Sequence, residues 1–219
     1  MSKKLYGIYG ASGLGKQVMP LAREQLGLTS QTTDYELVFI DDNPPQSEVN
    51  GNKVLTWEQF LRESASEKKV AISIANSKIR EKISEKISRE GVLPWSIQDS
   101  NVCVMDDVVV GVGSILSSFV LLASNIRVGN YFQANHYSHV AHDCVIGDYV
   151  TFGPGVRCNG NVHIEDHAYI GTGAMIRQGT PDNPIIIGKG AVVGMGAVVL
   201  NDVPAGVTVV GNPARPLEK

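Results

Sequence analysis

The chain has 219 residues, room for one large or two small domains with cores of their own. Its formal charge of -3 excludes a protein that holds nucleic acid through a basic excess. No apolar run follows the lysines of MSKKLYGIYG and nowhere do 18 apolar residues stand together, so neither a signal peptide nor a membrane span is expected, and the expected compartment is the cytoplasm.

Twenty-three glycines and only 6% aromatic residues favour a turn-rich β architecture. Cys103, Cys144 and Cys158 are odd in number and lack metal-ligand spacing; they read as reduced, buried thiols.

From Lys4 the chain alternates strand-like and helix-like segments. KLYGIYG is a strand ending in glycine, and GLGKQVMPLAREQLG is a helix despite Pro20. YELVFIDDNPP is a second strand closed by turn residues. TWEQFLRESA is helical, KKVAISIAN is a third strand, and SKIREKISEKISREG is an amphipathic helix with Ile79, Ile83 and Ile87 four apart. This order predicts a small parallel sheet of Rossmann type over residues 1–95.

Within it, YGASGLGKQ approaches a Walker A loop through Gly10, Gly15 and Lys16, but Gln17 stands where a magnesium-binding hydroxyl is needed. The dinucleotide fingerprint is absent too. A glycine loop between strand and helix still presents N–H groups at a helix N-terminus, which suits an anion or a nucleotide. Asp41 and Asp42 end the second strand, where an acidic residue of a Rossmann unit reaches a ribose hydroxyl or a base edge. Asn76, Ser77, Lys78 and Arg80 offer polar groups to the same crevice, or serve as a helix cap with solvated charges.

Beyond about residue 96 the grammar changes. Steps of six from Val104 to Ile176 meet thirteen positions, all apolar, and chance would give that on the order of one time in ten thousand. After RQGTPDNPII the beat resumes at Ile187, Val193 and Val199. A six-residue period suits a short flat strand plus a corner, three to a coil, so residues 96–219 are expected to form a parallel β-helix with side chains 18 apart stacked ~4.8 Å from each other.

Three histidines interrupt that pattern. His136 and His142 hold equivalent places on successive faces, roughly 20 Å apart at ~3.3 Å per residue, so they cannot share a metal within one chain. His142 falls at a corner beside Asp143, which could fix its tautomer and make it a general base. One coil on is Gly160, expected to leave room for substrate and an unobstructed N–H as an oxyanion donor.

YGASG, FIDD, HDCVIGDYV, CNGNV and GNPAR together resemble the sialic-acid O-acetyltransferase-type sugar acyltransferases, and most of all the bacterial N-acetyltransferases of nucleotide-linked 4-amino-4,6-dideoxy sugars. The resemblance implies a left-handed β-helix acyltransferase domain after a nucleotide-sugar-binding domain, a homotrimer, acetyl-CoA as co-substrate, direct transfer in a ternary complex without a metal, and a place in glycan assembly. It puts the general base at His142 and its acidic partner at Asp143. The loop Ser12, Gly13 and Leu14 would meet the phosphates, Asp41 and Asp42 the base and ribose, and Lys78 the substrate. Coenzyme contacts fall at Thr151, Gly160, Thr172, Gly194, Met195 and Gly196, with Gly211, Pro213 and Arg215 beside its phosphates. Thr151 stands where some members carry a histidine.

The exposed SSFVLLASN suggests an apolar patch covered in a trimer, and GTPDNP is expected to leave the prism at a corner. Three other readings share the scaffold: O-acetylation of a sugar hydroxyl, a non-catalytic trimeric scaffold, and a metalloenzyme of carbonic anhydrase type.

Overall fold

The chain divides between Gln98 and Asp99 into two units, and the computed structural model describes residues 3–27, 35–44 and 46–218 of it. In the first unit, β1 (Lys4–Tyr9), β2 (Tyr35–Ile40), β3 (Glu48–Val49), β4 (Asn52–Leu55), β5 (Glu67–Ile72) and β6 (Leu93–Pro94) form one sheet in the order β3-β4-β2-β1-β5-β6. All its pairs are parallel except β3 with β4. The chain builds outward from β1 through β2 to β4, then returns to the other side of β1 with β5. The C-terminal ends of β1 and β5 therefore flank a topological switch point, where open α/β sheets take ligands. Val38, Phe39, Ile40, Val70, Ala71 and Ile72 are buried on both sheet faces, as their near-continuous apolar runs require of parallel strands.

Helix α1 (Gly13–Gln25) runs through Pro20, whose exposed ring is tolerated, and buries Val18, Met19, Leu21 and Ala22. Helix α2 is shorter than the sequence suggests, Trp57–Arg62, and starts in a capping box between Thr56 and Gln59. In α3 (Ser77–Arg89), Ile83 and Ile87 face the core but Ile79 is exposed, and Asn76 caps the helix through the Lys78 and Ile79 N–H groups. The β3–β4 hairpin has no counterpart in the sequence expectations. Its turn, Asn50-Gly51, has φ of 49° and 73°, the pair that a tight two-residue hairpin demands.

The second unit is a three-faced coil. Face one carries Ile115–Leu116, Gln133–Ala134, Thr151–Phe152, Tyr169–Ile170, Val192–Val193 and Thr208–Val210; face two carries Cys103–Val104, Leu121–Leu122, His139–Val140, Arg157–Cys158, Met175–Ile176 and Val198–Val199; face three carries Val108–Val110, Ile126–Val128, Val145–Ile146, Val162–Ile164 and Ile185–Ile187. Pairing is parallel with a register of 18, as Leu121↔His139↔Arg157 shows. A final strand, Arg215–Pro216, pairs antiparallel on the edge of face one.

Each hexad sends two side chains inward. The beat residues from Leu116 to Ile176 and their neighbours two places earlier, from Val120 to Ala174, are almost all fully buried and make one core. The beat starts late: Val104 is exposed and Val110 half-buried at the open first coil. At successive corners one residue takes a left-handed backbone, among them Asn125, Tyr131, Tyr137, Asp143, Tyr149, Asn161 and His167, all with φ between 54° and 62°. The corner side chains therefore stack coil upon coil. Tyr131, Tyr149 and His167 stand in one column with rings 5.3 and 5.2 Å apart, and Phe119 stacks on Tyr137 at 5.0 Å.

Candidate active site

In the first unit the glycine loop is built by close approach. A β-carbon on Gly15 would stand 1.9 Å from the Gly10 carbonyl oxygen, and Gly10 itself has φ of 106°. Buried Ser73, just past β5, donates its hydroxyl to the carbonyls of Tyr9 (2.9 Å) and Gly10 (3.1 Å), locking the loop across the switch point. Ser12 is the α1 N-cap, yet its hydroxyl makes no cap bond. Ser12 and Gly13 are exposed and Leu14 half-buried, so the loop is open to a ligand at the helix N-terminus.

Asp41 and Asp42 part company. Asp41 accepts from the N–H of Ala11 (3.3 Å) and of Asn43 (3.0 Å), tying the end of β2 to the loop. Asp42 accepts from the Tyr9 hydroxyl at 2.7 Å and pairs with Lys86 at 3.2 Å, while the Lys86 ammonium lies over Trp57 and Tyr9. Burial, then the Asp42 hydrogen bond and charge, push the Tyr9 phenol far above its ordinary range, so it remains a donor. Lys78 is solvated beside Glu81. Arg80 is not in the crevice: it is fully buried and donates to the carbonyls of Ile74 (2.6 Å) and Ala75 (3.1 Å), so its charge holds backbone. Sequence reasoning missed Tyr9, Trp57, Ser73 and Lys86 because only the fold brings them to Gly10 and Asp42.

In the second unit His142 and Gly160 share the corner between faces two and three. The His142 Nδ1 lies 2.6 Å from an Asp143 carboxylate oxygen, and both side chains are about half exposed. An ionised carboxylate only accepts, so Nδ1 carries a proton and, in the neutral ring, the lone pair is on Nε2. The hydrogen bond from His142, then one from Asn125, holds the Asp143 carboxyl below its usual range. Gly160 does not leave space for substrate as expected. A β-carbon there would meet the His142 ring at 2.6 Å, so the imidazole itself occupies that space. The Gly160 N–H is engaged by no described group.

His142 borders a groove of about 550 Å³ on face two, lined by Phe119, Leu121, Tyr137, His139, Ala141 and Arg157. Burial, then the nearby Arg157 charge, lowers the pKa of His139; Arg157 itself donates to the Tyr137 carbonyl. SSFVLLASN is only partly an exposed patch: Phe119 is exposed, but Val120 and Leu122 are core. Cys144 and Cys158 are buried inward, whereas Cys103 is exposed, against expectation.

The other candidate coenzyme residues distribute by face. Thr172, Gly194, exposed Met195 and Gly196 sit at the corner between faces one and two, across face two from His142. The GNPAR segment runs beside Val198 on face two, through bonds from the Val198 N–H to the Gly211 carbonyl and from the Ala214 N–H to the Val198 carbonyl. Pro213 is exposed there, and Arg215 follows on the edge strand. Thr151 is on face one and buried, apart from the others. The GTPDNP segment leaves at the His142 corner: Gly179 N–H donates to the Gly160 carbonyl at 3.0 Å and Ile185 N–H to the Asn161 carbonyl at 3.1 Å. No cluster of three or more His, Cys, Asp or Glu able to hold a metal exists among the described residues, and no helix among them is long and apolar enough to cross a membrane.

Two family models match the chain: the PglD N-terminal domain over residues 7–87, and the bacterial transferase hexapeptide (six repeats) over residues 125–160. The GDP-perosamine N-acetyltransferase of Escherichia coli O157:H7 is 50% identical over 215 residues, 98% of this chain and 97% of that protein. WeeI from Acinetobacter baumannii AYE is 56% identical with a TM-score of 0.94, over 98% of this chain and 100% of that one. The acetyltransferase domain of PglB from Neisseria gonorrhoeae FA1090, in a structure with acetyl coenzyme A, is 32% identical with a TM-score of 0.85, over 99% of this chain and 100% of that one.

Proposed function

The chain belongs to the nucleotide-sugar N-acetyltransferase family of hexapeptide-repeat acyltransferases, left-handed β-helix enzymes with a Rossmann-like N-terminal domain, and from that premise we propose that it moves the acetyl group of acetyl-CoA to the C4 amine of a GDP-linked 4-amino-4,6-dideoxy sugar, with His142 as general base. The observation that carries the base assignment is the 2.6 Å contact from His142 Nδ1 to Asp143, which leaves Nε2 as the proton acceptor at the rim of the face-two groove. The GDP assignment follows the half-identical Escherichia coli relative.

His142 takes the proton that the amine loses as nitrogen bonds to the thioester carbonyl carbon. Asp143 stabilises the resulting imidazolium. The unengaged Gly160 N–H is the donor for the oxyanion. The carbonyl re-forms as the carbon–sulfur bond breaks, and His142 returns the proton to the leaving thiolate. Buried Cys144 and Cys158 carry no acyl group. The coenzyme lies along face two, between the His142 corner and the corner of Thr172, Gly194 and Met195, with Pro213 and Arg215 toward its phosphates. In the first unit Ser12, Gly13 and Leu14 meet the sugar-nucleotide phosphates, and Asp41 and Asp42 the ribose and base. The product amide feeds glycan assembly in the cytoplasm.

The working form is a homotrimer, supported by exposed Phe119, Tyr137 and Met175 on or beside face two and Val109 and Val145 on face three. The deciding experiment is His142→Asn with GDP-linked amino sugar and acetyl-CoA. It should keep both ligands and lose roughly 10²–10⁴-fold in kcat; wild-type turnover sinks the assignment. Light scattering that finds a monomer at micromolar concentration sinks the trimer.

A further inference from the structure

The corner column that holds Asp143 also holds Asn125 one coil before it and Asn161 one coil after it, each with a left-handed backbone. The Asn125 amide nitrogen donates to Asp143 Oδ1 at 3.1 Å, while Asp143 Oδ2 faces His142 Nδ1 at 2.6 Å. The two carboxylate oxygens thus have separate partners on separate coils. We propose that Asn125 is a positioning residue for the acetyl transfer: it clamps the free oxygen of Asp143, so that the other stays turned to the imidazole and Nε2 stays aimed at the groove.

Three features of the site make that clamp necessary. Asp143 is half exposed, so packing does not fix its carboxylate. Its own backbone is tied to the preceding coil through an N–H bond to the Ser124 carbonyl, which sets the side chain's origin but not its torsion. His142 is likewise half exposed, and it rests on Gly160, where no β-carbon limits its swing. With Asn125 in place, both side chains have a single arrangement that satisfies Asp143 at both oxygens. The charged or titratable groups around this pair are Cys144 and Cys158 beneath it, His139 and Arg157 along the groove, Arg127 on the preceding coil with its partner Asp107 and Asp106 one coil further back, and Arg177 and Asp182 beyond Gly160. Among the described residues, none of these makes a side-chain hydrogen bond to Asp143. Among the described residues, Asn125 is its one polar side-chain partner besides His142.

The inference rests on His142 being the base, and the test separates the two. Asn125→Gly removes the amide without straining a position at φ 61°. Asn125→Asp keeps the shape, tolerates the same backbone, and adds a second carboxylate at the same site. For Asn125→Gly, kcat should fall about tenfold, less than the 10²–10⁴-fold expected for loss of a general base, with KM for both substrates unchanged. For Asn125→Asp, the added negative charge should move the His142 titration, followed by NMR of the imidazole carbon, and the acid limb of kcat/KM upward together by about one pH unit. Wild-type kcat in Asn125→Gly, or a His142 titration unmoved in Asn125→Asp, overturns the inference. Should His142→Asn keep full turnover while Asn125→Asp still moves the NMR titration, the base reading falls, and with it the role in transfer, though the physical coupling stands.

Discussion

The imidazole of His142 lies directly over the α-carbon of Gly160, where an added β-carbon would come within 2.6 Å of Cε1 and Nε2 and 3.0 Å of Nδ1. Gly160→Ala therefore tests catalysis without touching a polar group. The backbone at 160 is not left-handed, so the coil survives and the ring must move. A displacement on the order of 1 Å is expected to lower kcat about 100-fold with an unchanged circular dichroism spectrum. Steady-state kinetics on the purified variant checks it.

Asp143→Asn keeps the shape but removes the demand that Nδ1 be the donor. Nδ1 can then accept from the amide, placing the proton on Nε2, where it cannot act as base. A loss of roughly 10²–10⁴-fold in kcat/KM is expected. In the unaltered chain Asp143 is held ionised below the usual carboxylate range, by His142 and then Asn125. An activity limb between pH 5 and 8 therefore does not belong to Asp143, and a pH profile in which that limb persists, much reduced in amplitude, in Asp143→Asn bears this out.

Asp99 gives a stability prediction with a defined sign. Burial works to raise its pKa, but bonds from the Asn101 N–H (2.8 Å), the Ser118 hydroxyl (2.8 Å) and the Asn101 amide (3.1 Å) outweigh it and lower the value. Its folded pKa lies below its unfolded one, so its contribution is complete above about pH 4 and fades as pH falls through the folded value. Urea midpoints of the unaltered chain should drop below pH 4, and those of Asp99→Asn should be lower at pH 7 and flatter in acid.

Ser73→Ala removes both hydroxyl bonds across the glycine loop, leaving the Gly10 carbonyl without that partner. A cost of about 1–2 kcal/mol is expected, with a several-fold rise in KM for the nucleotide sugar and none for acetyl-CoA. Thermal melting and the two Michaelis constants read this directly. An equal rise in both would remove the loop from nucleotide binding.

Much of this was legible in the residues. The six-residue beat defines the coil because each strand has one obligatory inward side chain, and a single polar beat residue would have broken it. His142 and Asp143 stand out because they fall outside that beat. The glycine loop announces itself, since Gly10 and Gly15 must nearly touch. The Asn50-Gly51 hairpin carries a local signal, a residue pair suited to two positive φ angles. Other partners had no local signal. Lys86 reaches Asp42 across 44 positions, Ser73 reaches Gly10 across 63, and Asn125 reaches Asp143 by one full coil. Arg80 misleads in the other direction: a charge near a crevice reads as ligand-facing until the fold shows it spent on two carbonyls.

The antiparallel strand Arg215–Pro216 has a consequence for how copies of the molecule meet. A parallel coil offers a row of unpaired backbone groups at its last rung, an invitation for another coil to add on and grow a fibre. Here the chain folds back over that rung, pairing Val209 with Pro216 and Val210 with Arg215. Proline has no N–H to extend the ladder, and the arginine beside it places a charge on the same rim. On face one, the last rung is therefore closed to a further strand from another copy.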